Sequence, residues 1–280
     1  MGSFIVTVVG ANPEDQMLKY SSVSRVECPN PYFQTTDITA RLKEQCPPDY
    51  EGSMSDYLRN ECEYLCIYEL KAGQALDIYD DHQNGHFIVD AAGDVVTVFE
   101  RKNPLQECDG FVLGGGYAGF YFIKPGHTGI ELGTPRRGTV IRPNTADKIL
   151  KGSIDFERMM GEAADYAAKH YDAFFALAAK HNNYLGDEFE QEFYEGTQNG
   201  TFPMYASSYD YNQEREEFIK LRKFYVLSSY AFIINGEINK KPHCIGPMTP
   251  EAEIAWLESV WMHLFSLPDD TVFALYQCHE

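Results

Sequence analysis

Five glycines within sixteen residues are the feature that most constrains how this chain folds. The segment from Asp109 to Lys124 reads D-G-F-V-L-G-G-G-Y-A-G-F-Y-F-I-K and sets these glycines among β-prone and aromatic residues. Glycine admits positive φ angles and close backbone contacts that other residues exclude, while the neighbouring rings offer large flat surfaces. Such a segment either carries a ligand or simply turns the chain around a corner.

Three of these glycines, Gly114, Gly116 and Gly119, match the nucleotide-binding pattern G-x-G-x-x-G. In dinucleotide-binding folds this pattern opens a helix, whereas here the residues after Gly119 continue as a β-strand up to Pro125. The context therefore excludes the dinucleotide form and favours a glycine-lined aromatic hairpin, such as the loop that covers phosphates in protein kinases. The kinase motifs H-R-D and D-F-G do not occur in the sequence, so kinase chemistry is excluded.

Positive charge gathers directly after this segment, in a chain whose formal net charge is −19. The guanidinium group of arginine offers a bidentate fork to phosphate or carboxylate, so these cations either meet an anionic ligand at the hairpin or pair with the protein's own acids. The ligand hypothesis predicts a site formed by Gly114, Gly115, Gly116, Tyr117, Phe120, Tyr121, Lys124, Arg136, Arg137 and His279.

The strong negative charge opposes any approach to phosphate backbones or anionic membrane surfaces, so neither nucleic acid nor a membrane is an expected partner. No apolar run approaches the roughly 20 residues that span a bilayer. The seven cysteines show no disulfide-scaffold spacing, which favours a reducing compartment. Cys62 and Cys66 lack the second pair that would complete a zinc site. We expect no metal and no cofactor.

The order of the predicted elements places strands at both termini and helices between them. The sequence predicts strands over Phe4 to Val9 and Thr271 to Tyr276, a hairpin around Ala92-Gly93-Asp94, and helices over Asp155 to Lys180 and from Pro250 onward. This order predicts an α+β fold, with a mixed or antiparallel sheet covered by several helices, and allows the last strand to lie beside the first. We expect one domain over residues 1–280, with a candidate lobe boundary between residues 143 and 151.

Catalysis has one candidate pair, Cys278 and His279 near the end of the chain. Adjacent residues on a strand point to opposite faces, so these two side chains do not form a nucleophile and its base without partners from elsewhere. No catalytic residue is therefore assigned, and binding is favoured over an enzymatic activity.

Five stretches spread over most of the chain follow a recognisable order of motifs. They are Asn12–Gln16, Asn103–Phe120, Lys151–Asp155, Ala231–Gly236 and Pro268–Glu280. The second begins N-P-L-Q-E-C-D-G-F-V-L-G-G-G-Y, and the last closes on Q-C-H-E. This order resembles an uncharacterised family of bacteriophage and prophage proteins with the motif N-P-x-S-K-W-D-W-Y-x-I-G-G-R-W and a terminal D-C-H-I. The resemblance implies a phage setting and no particular activity.

The chain departs from that family pattern at several positions, four of which bear on a binding site. Gly116 stands in place of arginine, Tyr117 and Cys108 in place of tryptophans, and Gln277 in place of aspartate. If the missing arginine held an anion in the relatives, either Arg136 or Arg137 takes over its role here or the ligand differs.

Three hypotheses about function follow. The first is a phage protein in the host cytoplasm that sequesters a small anionic, nucleotide-like molecule such as a host immune signal. The second is an inhibitor whose acidic stretches, Asp187 to Glu195 and Glu214 to Glu217, bind a basic host protein. The third is a hydrolase that acts on the anionic molecule. Assembly into a homo-oligomer is compatible with each of them.

Overall fold

The computed structural model describes residues 3–23, 30–61, 67–71, 85–181, 186–203, 211–225, 229–240 and 250–279. Within these residues the helices are α1 (Pro13–Leu18), α2 (Thr39–Gln45), α3 (Met54–Glu61), α4 (Phe156–His181), α5 (Asp187–Asn199), α6 (Arg215–Tyr225) and α7 (Pro250–Ser266). The strands are β1 (Ser3–Val9), β2 (Gln34–Asp37), β3 (Ile67–Lys71), β4 (Gly85–Val89), β5 (Val95–Lys102), β6 (Gly110–Gly115), β7 (Tyr121–Phe122), β8 (Thr134–Pro135), β9 (Thr145–Ala146), β10 (Lys148–Leu150), β11 (Ala231–Ile234), β12 (Glu237–Lys240) and β13 (Val272–His279).

The main sheet has seven strands in the order β12-β11-β1-β13-β6-β8, and β10 also pairs with β13. The first and last strands are neighbours: β1 runs antiparallel to β13, from Ser3 opposite His279 to Val9 opposite Phe273. On its other side β1 runs parallel to β11. The predicted α+β class with a mixed sheet is therefore confirmed, and so is the pairing of the terminal strands.

Both faces of the main sheet are covered, because successive residues of a strand point to opposite sides. On one face, Val9 and Phe273 belong to a buried core cluster with Trp261 and Leu264 of α7 and Met159 of α4. The cluster on the opposite face combines residues of β1, β6, β11 and β13 with α1, and its members include Val8, Met17, Tyr20, Cys108, Leu113, Tyr276 and Cys278. The continuous apolar run of β1 is thus explained by burial from both sides.

A smaller sheet, ordered β2-β5-β4-β3, lies in the chain between α1 and β6. The predicted hairpin is present as the antiparallel pair β4 and β5. Helices α2 and α3 contribute to a separate core beneath it, formed by Ile38, Leu42, Leu58, Phe87, Val89 and Val98. Residues 143–151, the candidate lobe boundary, contain β9 and β10, and Ile149 there is fully buried in the core of the main sheet.

Two buried asparagines hold the residues at which the chain leaves for the smaller sheet and returns from it. The side-chain amide of Asn30 donates hydrogen bonds to the carbonyl oxygens of Leu18 at 2.7 Å and Val23 at 3.0 Å. The amide of Asn103 donates to Lys19 at 2.9 Å, and both amides reach the carbonyl of Ser21. Main-chain carbonyls that no strand satisfies are therefore satisfied by side chains.

A third core lies among α4, α5 and α6 and consists largely of aromatic rings. Phe174 of α4 stacks on Tyr211 with ring centroids 4.1 Å apart and meets Phe189 and Phe193 of α5 edge to face. Part of the high aromatic content of the chain therefore serves to pack this helical layer. None of the helices in the described part of the chain has the length and apolar character needed to cross a bilayer.

His170 of α4 makes the stability of this helical layer sensitive to acid. The side chain is buried beside the ring of Tyr166, and no carboxylate within ion-pair distance of it is present in the described part of the chain. Burial lowers the pKa of His170 below its ordinary value of 6.5. The unfolded chain therefore binds this proton more readily, and the folded state loses stability as the pH falls through and below 6.5.

We expect the free energy of unfolding to fall by up to about 1 kcal/mol between pH 7.5 and pH 5.5 because of this residue. Urea unfolding at several pH values measures the effect, and His170→Leu should flatten the pH dependence. An unchanged slope in this variant would contradict the assignment, whatever its stability at pH 7.5.

Candidate functional site

The glycine-rich segment is a turn between two sheets, so the predicted hairpin is wrong. β6 pairs with β13 and with β8, whereas β7 pairs with β9 in a separate two-stranded sheet. Between them, the N–H of Tyr117 donates to the carbonyl of Gly114 at 3.0 Å. Gly114, Gly115 and Gly119 have φ angles of 70°, 57° and 81°, which other residues rarely adopt. We call Gly114 to Gly119 the glycine turn.

A buried carboxylate organises the glycine turn. The side chain of Asp147 accepts hydrogen bonds from the N–H groups of Gly119 at 2.9 Å and Phe120 at 3.0 Å. Its other oxygen accepts from the N–H of Gly133 at 2.9 Å. Asp147 lies between β9 and β10, and its own carbonyl accepts from Leu275 of β13 at 2.9 Å. Main-chain N–H groups converging on a negative charge are what anion-binding loops offer to phosphate, and here the protein supplies the anion itself.

Gln277 of β13 engages the remaining part of the turn. Its buried Oε1 accepts from the N–H of Gly116 at 2.6 Å. At Gly115 a Cβ atom would lie only 2.3 Å from the same oxygen, so only glycine allows this approach. The N–H groups of residues 116 to 120 are thus all bonded to acceptors of the protein. Gly114 and Gly115 are buried and the N–H of Gly116 is already bonded, so an external anion would meet mainly side chains on this surface.

The predicted aromatic residues divide between the core and the surface. Tyr121 is fully buried, its ring belongs to the main-sheet core, and burial raises the pKa of its hydroxyl. Phe120 packs edge-on against it with ring centroids 4.9 Å apart. Tyr117 is 46% exposed and is the ring of this set that offers a surface for stacking. The prediction that Tyr121 contacts a ligand does not fit its burial.

Two predicted residues lie away from the glycine turn. His279 pairs with Gly110 at the opposite end of β6, about 14 Å from Gly114 at the usual rise of a strand. Lys124 follows β7, and its ammonium group donates to the carbonyl of Gly152 at 2.9 Å. The structure therefore separates His279 from the glycine turn, because the antiparallel register of β6 and β13 carries the last residues away from it.

Arg136 and Arg137 lie beside the glycine turn and are exposed. The N–H of Arg136 donates to the carbonyl of Gly115 at 3.0 Å, and the carbonyl of Arg136 accepts from Thr139 in a tight turn. Considering only the described residues, neither guanidinium group has a carboxylate within ion-pair distance. By contrast, Arg142 pairs with Glu162 at 3.1 Å. We call Tyr117, Arg136 and Arg137 the basic turn surface.

Sequence reasoning missed Asp147 and Gln277, which shape this surface from below. The isolated acid within the apolar, β-prone stretch T-A-D-K-I-L is the signal that could have identified Asp147. Gln277 was noted only as a departure from the resembled family, and nothing in the sequence connected it to the glycine turn. Among the described residues, no group of three or more histidine, cysteine, aspartate or glutamate side chains is arranged to hold a metal ion.

Comparisons of the chain with protein-family models, with curated protein sequences and with solved structures give no match.

Proposed function

We propose that the basic turn surface binds a small anionic molecule, derived from a nucleotide, and that the chain sequesters this molecule. The observation that carries the proposal is the pair of adjacent, exposed arginines without a carboxylate partner among the described residues, in a chain with 42 acidic and 23 basic residues. An acidic protein ordinarily pairs its few cations, as it does at Arg142. Two unpaired guanidinium forks next to an exposed ring suit phosphate oxygens and a stacked base.

The setting we propose is the cytoplasm of a bacterial host, with the chain as a phage-encoded accessory protein directed against a host immune signal. Support comes from two departures from the resembled phage family. The family has arginine and aspartate at the positions of Gly116 and Gln277, and these two residues are hydrogen-bonded to each other here. Replacement of an oppositely charged pair by a neutral pair at two contacting positions fits divergence from a common pattern.

Isothermal titration of the full chain with linear nucleotides, cyclic mono- and dinucleotides and inorganic phosphate tests this proposal. We expect one of the nucleotides to bind, and we expect the double variant Arg136→Ala with Arg137→Ala to bind it at least tenfold more weakly, since each charge-assisted hydrogen bond contributes about 1.5–3 kcal/mol. Affinity should fall as the salt concentration rises, because exposed charges are screened.

The matched control is Lys43→Ala with Lys169→Ala, which removes the same charge from exposed positions elsewhere. Equal weakening by both double variants would assign the effect to net charge and contradict the site. If none of the nucleotides binds, the proposal is contradicted. Mass spectrometry of the ligand after titration shows whether it has been hydrolysed. Hydrolysis would mean that the chain is a hydrolase and does not merely sequester the molecule.

A second candidate function rests on the surface of α5. Asp187, Glu188 and Glu190 are exposed at the start of this helix, and Tyr194 is 64% exposed farther along. An exposed ring among acidic side chains suits a basic protein surface. Capture of a basic host protein that is lost in Asp187→Asn with Glu188→Gln and Glu190→Gln, and kept in the arginine variant, would favour this candidate.

A further inference from the structure

A threonine follows the two arginines of the basic turn surface at a fixed spacing. The loop reads Arg136-Arg137-Gly138-Thr139-Val140, so the arginines stand three and two residues before the hydroxyl. No other serine or threonine of the sequence has arginine at both of these positions. Val140, directly after the hydroxyl, is apolar and 87% exposed. Two arginines before a hydroxyl and an apolar residue after it form the pattern that arginine-directed protein kinases bind through carboxylates in their peptide groove.

The hydroxyl of Thr139 is available for reaction. Its side chain is partly exposed, and within the described ranges its Oγ1 makes no hydrogen bond. Thr145 in the same loop provides a contrast, because Arg142 also stands three residues before it. Thr145 is buried, and its Oγ1 donates to the carbonyl of Arg142 at 2.7 Å. Of these two hydroxyls, an enzyme can therefore reach only that of Thr139 without unfolding the loop.

The main chain around Thr139 is held by few hydrogen bonds, which allows it to extend into the groove of an enzyme. The N–H of Thr139 donates to the carbonyl of Arg136 at 2.9 Å, and Gly138 has a φ angle of 91°, as expected for the third residue of a type II β-turn. Within the part of the chain that the structure describes, the N–H groups of residues 137, 138, 140, 141 and 142 make no main-chain hydrogen bond. Extension of this turn thus breaks one main-chain hydrogen bond.

We propose that Thr139 is a phosphorylation site for an arginine-directed threonine kinase, and that the phosphate then occupies the basic turn surface in place of an external anion. In the transfer, Oγ1 of Thr139 attacks the γ-phosphorus of ATP, and the bond from this phosphorus to the bridging oxygen breaks. The proton of the hydroxyl passes to the catalytic carboxylate of the kinase, and ADP leaves with its magnesium.

The turn places this phosphate beside the arginines. The first and fourth residues of a β-turn have Cα atoms within about 7 Å of each other, so the long side chain of Arg136 reaches a phosphate on Thr139. Phosphothreonine carries a charge of about −1.5 to −2 at pH 7 and three acceptor oxygens, which guanidinium groups bind in charge-assisted pairs. Competition with an external anion rests on the proposed function, whereas the modification site itself does not.

The modification is tested by incubating the folded full chain with MgATP and an arginine-directed enzyme, the catalytic subunit of cyclic-AMP-dependent protein kinase. Peptide mapping by mass spectrometry should place a phosphate on Thr139. Thr139→Val should abolish it, and Arg136→Ala with Arg137→Ala should lower the rate at least tenfold, because the kinase loses its charged contacts. Thr36→Val, at an exposed threonine of β2, is the matched control and should leave the modification unchanged.

Mapping of the parent chain decides the outcome whatever the stability of the variants. A phosphate that appears on Thr139 only after the chain has been unfolded would overturn the site. Earlier modification of Thr145 or of any other residue in the folded chain would overturn it as well.

Phosphorus NMR of the modified chain tests whether the phosphate contacts the arginines. The second pKa of phosphothreonine should lie below its usual value of about 6, because guanidinium groups favour the doubly charged form. This pKa should return toward about 6 as added salt screens the pair. An unshifted pKa at low salt would contradict the contact.

Titration of the phosphorylated chain tests the competition. The nucleotide that binds the unmodified chain should bind the phosphorylated chain at least tenfold more weakly, and unchanged affinity would contradict occupancy of the surface. If no nucleotide binds the unmodified chain, the proposed function is contradicted. Mapping and phosphorus NMR then still decide whether Thr139 is modified and whether its phosphate contacts the arginines.

Discussion

Asp147→Ala is expected to lower the free energy of unfolding by about 3–6 kcal/mol, since three N–H groups lose their acceptor. Each unsatisfied buried donor costs about 1–3 kcal/mol, and the two partly buried donors cost less than the full amount. These donors belong to Gly119, Phe120 and Gly133, which lie on two different loops. Urea unfolding followed by circular dichroism measures the loss.

Asp147→Asn is the matched control for this prediction. The amide keeps one acceptor oxygen of similar position but turns an NH₂ group toward a main-chain donor. We therefore expect a loss between that of the alanine variant and zero. If alanine and asparagine are equally tolerated, the carboxylate is not what holds the glycine turn.

Gly133→Ala is expected to destabilise the fold by at least about 3 kcal/mol, at the upper end of what overpacking costs. A Cβ at this position would lie 2.1 Å from the carbonyl oxygen of Leu113 and 2.9 Å from the nitrogen of Gly114. Both are main-chain atoms of β6, so the clash cannot be relieved by a rotamer change and must separate the loop from the strand. The same movement would weaken the bond between Gly133 and Asp147.

Gly161→Ala provides the control with the opposite sign. Gly161 is exposed on α4, and a Cβ there would have no atom within 4 Å. Alanine in a helix interior is favoured over glycine by about 0.5–1 kcal/mol, so this variant should be more stable than the parent chain. Thermal unfolding of both variants measures the contrast. A Gly133→Ala protein within about 0.5 kcal/mol of the parent would contradict the predicted clash.

Local sequence patterns were sufficient to predict much of the fold. The apolar periodicity of the long helix predicted α4 to within one residue at each end, and the turn residues Ala92, Gly93 and Asp94 predicted the pair β4 and β5. Strand runs at both termini predicted the adjacent pair β1 and β13. For α4 and for the pair β4 and β5, the signal lies in the same few residues that form the structure. The strands β1 and β13 are distant in sequence, but few topologies are compatible with their positions.

The glycine turn shows where such patterns stop being informative. Two β-prone runs joined by glycines are compatible with a hairpin, and the actual outcome depends on distant partners. β7 pairs with β9 and not with β6, and the deciding acid, Asp147, is 28 residues away from Gly119. The main-chain bond between Arg136 and Gly115 places Arg136 beside the turn that carries Tyr117, whereas the register of β6 and β13 places His279 at the far end of β6.

Because the carboxylate of Asp147 accepts the converging N–H groups, the protein itself occupies the position at which a glycine loop would otherwise bind an external anion. A loop in this state does not need to order itself around an incoming molecule, so the conformational entropy that flexible glycine loops lose on binding has been lost during folding. The main chain of Arg136 is hydrogen-bonded to Gly115, so this arginine extends from a rigid part of the backbone. Association at such a surface should be fast and governed by diffusion and charge, with little dependence on rearrangement of the main chain.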